Sequence, residues 1–166
     1  MAMNAYLHLK GQKSGDIKGS CTLKGREGLI VVIESHHEVL SPRDAASGLP
    51  TGQRMHKPFV ITKEVDRATP LLYSMLTSNE NISSFELQFW RPGVKAASGL
   101  GAEVQYYTVK LTNANIADIQ FTQPSTRDPE SQKLAEFERI AFTYQRIEWV
   151  WNDGGITAQD DWEARV

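Results

Sequence analysis

Four histidines, His8, His36, His37 and His56, are the side chains best suited to hold a metal or move a proton near neutral pH. Adjacent His36 and His37 on a strand point to opposite faces, so one ion cannot take both without a bulge. Hydrogen-bonded or surface histidines are the plainer reading. The single cysteine, Cys21, can build neither an internal disulfide nor a Cys-rich zinc site. It follows Gly19-Ser20 with no helix N-terminus to lower its pKa, which suits a small apolar filler better than a nucleophile. No serine stands in a G-x-S-x-G elbow, since Gly11-Gln12-Lys13-Ser14-Gly15 has the wrong spacing. Gly99-Leu100-Gly101 precedes a strand pattern, and Val104 stands where a dinucleotide fingerprint needs glycine. Glu64, Asp66, Glu136 and Glu138 are carboxylates whose spacing alone pairs none of them on a substrate. Trp90, Trp149, Trp151 and Trp162 could form a sugar platform, although anchoring in a core or an interface is the commoner use of Trp in a β domain. No catalytic, cofactor-binding or metal-ligating residue is assigned, and a carbohydrate-binding or hydrolytic β-barrel is kept as an alternative.

The elements that would position such groups read as strands. With 166 residues, 40% of them hydrophobic, and 12 glycines, the chain has the length and composition of one globular domain. A net charge of −2 with no long block of like charge argues against nucleic acid as a partner. The longest apolar run, Leu29-Ile30-Val31-Val32-Ile33, is far too short to span a bilayer. The first residues lack a basic start and a long apolar stretch, so no cleaved secretory signal is expected.

Ala5-Leu7-Leu9, Phe85-Leu87-Phe89 and Tyr107-Val109-Leu111 alternate with polar neighbours, each giving a strand with one apolar side. Further strands are expected over Leu29–Val39, His56–Thr62 and Ile116–Phe121. Phe137–Trp151 is apolar on both sides, which fits a closed or stacked sheet or a subunit contact, and makes Ile147 and Trp149 candidates for an interface strand. One helix is expected over about Thr69–Ser78, with Thr69 as N-cap, Pro70 at the first helical position, and Leu71, Leu72, Met75 and Leu76 at helical spacing. Loops are expected at Ser41–Met55, Arg91–Glu103 and Gln123–Leu134, and a polar tail from about Asp153. The first loop, with Pro42, Gly48, Pro50 and Gly52, has a length that is uncommon in compact domains and often functional.

The segment from His56 to Leu72, His-Lys-Pro-Phe-Val-Ile-Thr-Lys-Glu-Val-Asp-Arg-Ala-Thr-Pro-Leu-Leu, resembles a characteristic stretch of the Hcp family, the haemolysin-coregulated tube proteins of bacterial type VI secretion. Three further segments resemble that family in the same order: Tyr6–Gly11 with Gly15 and Gly19-Ser20, Tyr107–Ala114, and Glu138–Tyr144 with Ile147-Glu148-Trp149. The likeness covers nearly the whole chain as a single domain, 1–166, with no extra domain expected after about Trp151. It implies a mainly β fold, a small β-barrel of two antiparallel sheets with one flanking helix. It also implies six-membered rings stacked into a tube inside a contractile sheath, capped by a spike complex and carrying small effectors. No enzyme activity, cofactor or membrane insertion would be involved, and the protein would be found in the cytoplasm and, through the apparatus, outside the cell. Arg43, Asp44 and Arg54 would lie in the family's extended loop, which reaches toward a neighbouring subunit or ring. A dedicated effector-binding chaperone ring is the alternative within the family.

Overall fold

The computed structural model describes residues 2–93 and 102–163. The first half of the chain forms β1 (Ala5–Gly11), β2 (Gly15–Ile17), β3 (Ile30–Val32), β4 (Glu34–His36), β5 (Val39–Leu40), β6 (Met55–His56), β7 (Phe59–Glu64) and α1 (Thr69–Thr77). The second half forms β8 (Ile82–Pro92), β9 (Glu103–Thr112), β10 (Asn115–Thr122), β11 (Phe137–Thr143), β12 (Arg146–Trp151) and β13 (Ile156–Asp161). The class is mainly β. The larger sheet has the order β13-β12-β9-β8-β1-β2, with β3 also paired to β1; the smaller has the order β10-β11-β7-β4. A separate ribbon joins β5 to β6.

The alternating strands turn one side to a shared core. Leu7 and Leu9 of β1, Phe85 and Leu87 of β8, Val109 and Leu111 of β9 face Phe59 and Ile61 of β7 and Ile140 and Phe142 of β11. Phe85 sits at the centre, edge-on to Phe142 at 4.9 Å and to Phe59 at 6.0 Å between ring centroids, the T-shaped geometry that aromatic quadrupoles favour.

The sheets are not closed into a barrel, which corrects the expected architecture. Chain segments pass between them at bends where the ladder is interrupted. The Leu29–Val39 stretch breaks into β3, β4 and β5, one in each hydrogen-bonded unit, and the Ile33 N–H to Thr62 carbonyl bond spans the first break. On the other side β9 bends into β10 at Asn113, held at φ 51°, and β11 bends into β12 at Tyr144-Gln145. The two corners are tied by the Asn113 amide, which donates to the Gln145 side-chain carbonyl at 2.6 Å.

That second corner explains the two-sided apolar pattern of Phe137–Trp151, which is two strands in two sheets. Ile140, Phe142 and Tyr144 are buried at even positions; after the corner the buried position is Ile147, at an odd one. The period slips by one residue, so side chains that would share no face on one strand all point to the core.

Two further expectations are corrected. The residues after Asp153 do not form a tail: β13 pairs with β12 from Arg146↔Asp161 to Trp151↔Ile156. Thr69 is not the N-cap. Ala68 occupies that position without a side-chain cap, and Thr69 opens the helix, so Pro70 stands one residue further in than expected. The Thr69 hydroxyl instead donates to Glu138 Oε1 at 2.9 Å and accepts from Lys63 Nζ at 3.2 Å. Lys63 and Glu138 are both fully buried and 2.6 Å apart, and Asp66 completes the cluster 2.9 Å from Nζ. The buried Lys63 cation thus meets two carboxylates inside the fold, where an unpaired charge would be costly. The cluster pins α1, whose Leu72 and Met75 are buried, to the smaller sheet.

Candidate functional site: an arm and its root

Between β5 and β6 the chain leaves the body as an arm. Its tip folds back at residues 44–48. The Asp44 carboxylate accepts from the Ser47 N–H at 2.8 Å and from its hydroxyl at 2.6 Å, and the Gly48 N–H donates to the Asp44 carbonyl at 2.8 Å. Those Ser47 bonds hold the Asp44 pKa below its ordinary value. Gly48 takes φ +71°, a left-handed turn conformation suited to glycine. Arg43 and Pro50 bridge across the hairpin. Val39, Leu40, Leu49 and Met55 are all exposed, Leu49 at 64%, an unusual apolar load for so slender a projection.

The root is polar and tightly bonded. Arg54 forks onto Asp160 of β13, Nε to Oδ2 at 2.6 Å and Nη2 to Oδ1 at 2.9 Å, and also donates to the Asp161 carbonyl at 3.0 Å. His56 Nε2 meets Asp160 Oδ2 at 2.6 Å, and its Nδ1 meets the Tyr144 hydroxyl at 2.8 Å. His37 Nε2 reaches the same hydroxyl at 2.6 Å. The Trp162 ring stacks on His56 and its Nε1–H donates to the Tyr144 carbonyl; Phe59 stacks on His37. The Arg54 bonds and, secondarily, the His56 bond hold the Asp160 pKa below the usual carboxylate range against the opposing effect of burial. Burial, reinforced by Asp160, pushes the Tyr144 phenol well above its ordinary value.

A family model described as "Type VI secretion system effector, Hcp" matches residues 6–151. The chain belongs to the Hcp family of type VI secretion. It is 38% identical to the Hcp relative "Major exported protein" of Pseudomonas aeruginosa, an alignment covering 100% of this chain and 99% of that protein. Among solved Hcp structures, one titled "Crystal structure of Hcp protein" is 30% identical with a TM-score of 0.84, covering 97% of this chain and 100% of that one. A mutant Hcp1 from the Escherichia coli EAEC 042 pathovar is 33% identical with a TM-score of 0.81, covering 97% and 99%. The secreted protein Hcp3 of P. aeruginosa is 31% identical with a TM-score of 0.76, covering 98% and 100%.

Within this Hcp fold the residues singled out from sequence divide. Arg43 and Asp44 are exposed on the arm, near and at its tip, while Arg54 is spent at the root on Asp160. Ile147 is fully buried in the chain's own core and Trp149 packs against that core, so Ile147 has no surface to give a neighbour; the phase slip at Tyr144-Gln145 had disguised it. Gly99-Leu100-Gly101 lies outside the described residues. His37, Tyr144, His56 and Asp160 escaped the sequence reading as a group. Their contacts span 88 to 107 residues, and Asp160 lies on the strand misread as a tail.

Proposed function

We propose that this Hcp protein is the tube subunit of a type VI apparatus: six copies close a ring, rings stack into a tube, and the tube is expelled from a contractile sheath with a spike at its head and small effectors in its bore. The family match over residues 6–151 carries this reading. The arm supports it, because Val39, Leu40, Leu49 and Met55 are exposed on a projection stiffened at tip and root. Arg43 and Asp44 sit where a stacked ring would meet the arm. Exposed charge contacts of that kind are worth about 0–1 kcal/mol each and weaken with salt, which suits a tube that must come apart. The protein is made in the cytoplasm and leaves through the apparatus.

Its role is mechanical rather than catalytic. The more buried histidine–carboxylate pair, His56 with Asp160, has both ring nitrogens engaged and Trp162 stacked on the imidazole. The space beside it is about 70 Å³, far below the size of a sugar or cofactor site. Light scattering and negative-stain microscopy of the purified full chain test the proposal. Annular particles near six times 18.6 kDa are expected; a species that stays monomeric at high concentration and low salt would overturn it.

A further inference from the structure

The tube reading makes no use of the proton-bearing groups at the arm's root, yet their hydrogens form a closed logical set. With both histidines neutral, His56 Nε2–H donates to Asp160, and the bare Nδ1 accepts the Tyr144 hydrogen. The Tyr144 oxygen then accepts from His37 Nε2–H. Every contact of 2.6 to 2.8 Å has one donor and one acceptor. Add one proton to His56 and the set survives: Nδ1–H donates to the Tyr144 oxygen, whose hydrogen turns to His37 Nε2 in the other neutral tautomer. Add a second proton, on His37, and it fails. Two cationic rings with centroids 6.5 Å apart both aim donors at one oxygen, and the buried hydroxyl hydrogen loses its acceptor.

We propose that the His37–Tyr144–His56 relay is an acid-operated latch for the arm, which takes up one proton intact and releases residues 38–57 when the second arrives. Among the described residues, the side-chain bonds from the arm to the body are those of Arg54 and His56, all at this root. The other charged groups facing the site are engaged with neighbours or flank it along the chain. Arg54 and Asp160 neutralise each other, and Lys57 pairs with Glu38 at 3.4 Å. Asp161 accepts the Gln145 amide on its carboxylate at 3.0 Å, and His36 flanks His37 along the chain. Burial, with His56 and then His36 nearby, holds the His37 pKa below the usual imidazole value. The unfastened state therefore binds the extra proton more readily, and fastening is lost as pH falls from about 6.5 toward the lowered value. The raised Tyr144 pKa keeps the phenol from escaping the conflict by ionising. The latch belongs to a single chain and stands whatever the arm touches in an assembly.

Hydrogen–deuterium exchange on the full chain, corrected for intrinsic rates between pH 8 and pH 5, reads it directly. Protection of amides 39–55 should fall about tenfold or more below pH 6, while β1 and β8 stay protected. His37→Gln supplies a side-chain oxygen for the Tyr144 hydrogen and removes the second titrating ring, so that variant should hold its arm at pH 5. Tyr144→Phe removes the shared oxygen and should lose arm protection already at pH 7.5. Arm protection that is flat with pH in the wild type, or that falls identically in His37→Gln, would overturn the latch.

Discussion

Lys63 and Glu138 show what one buried contact asks of its neighbours. Each is fully buried, but their support is unequal: Lys63 also touches Asp66 and Thr69, whereas Glu138 Oε2 has no partner. Lys63→Met strands a buried carboxylate and should cost about 3–5 kcal/mol in denaturant unfolding. Glu138→Leu leaves Lys63 on Asp66 and should cost less, and the double variant should recover most of the loss because packing replaces both charges. Equal losses in the two single variants would contradict the asymmetry. Gly19 makes a different demand. A Cβ there would stand 2.6 Å from both the Ile30 Cα and the Leu29 carbonyl oxygen, which are backbone and cannot swing aside. Gly19→Ala should destabilise by about 1–3 kcal/mol, read as a lowered urea midpoint at unchanged slope. Neither role is visible in the residue types alone. Lys63 and Glu138 lie on strands whose partnership is decided 75 positions apart, and the space at Gly19 is closed by the backbone of Leu29 and Ile30.

At the scale of elements, legibility followed exposure. β1, β8 and β9 alternate cleanly because each turns one side to the core and the other to polar surroundings, so the period of two survives in the sequence. α1 was legible from Pro70 and the spacing of Leu72 and Met75. β13 was not, because an edge strand packed mainly through its backbone carries little apolar alternation: Ile156 is 68% exposed. Yet β13 supplies Asp160 to the arm and covers the edge of β12 along six residue pairs. Ending the chain after Trp151 should therefore act on two places and spare a third. The arm should become open to proteolysis and the bare β12 edge should promote self-association, while the secondary structure seen by circular dichroism stays largely in place. A truncated chain whose arm resists protease as well as the full chain does would show that the root is not what holds it.

For the whole molecule, the proposed tube would need some contacts to close a ring and others to stack one ring on another. A rigid two-sheet body with open edges at β10 and β13 offers surfaces that can repeat head to tail around an axis. The arm, by contrast, stands off that body and carries its free charge near the tip. Replacing Arg43 and Asp44 together should shorten or abolish tubes while leaving annular particles intact. Asp44 also closes the tip through Ser47, so the double variant mixes lost charge with a loosened turn. Arg43→Ala keeps that turn and isolates the charge. If charge steers stacking, Arg43→Ala alone should shorten tubes, and raising salt should shorten wild-type tubes more than those of the variant, because screening has less left to remove. If the folded tip matters more, Arg43→Ala tubes should keep their length and Asp44→Ala tubes should not. Particle counts by electron microscopy at two salt concentrations separate these outcomes, and full-length tubes from the double variant would remove the arm from ring stacking altogether.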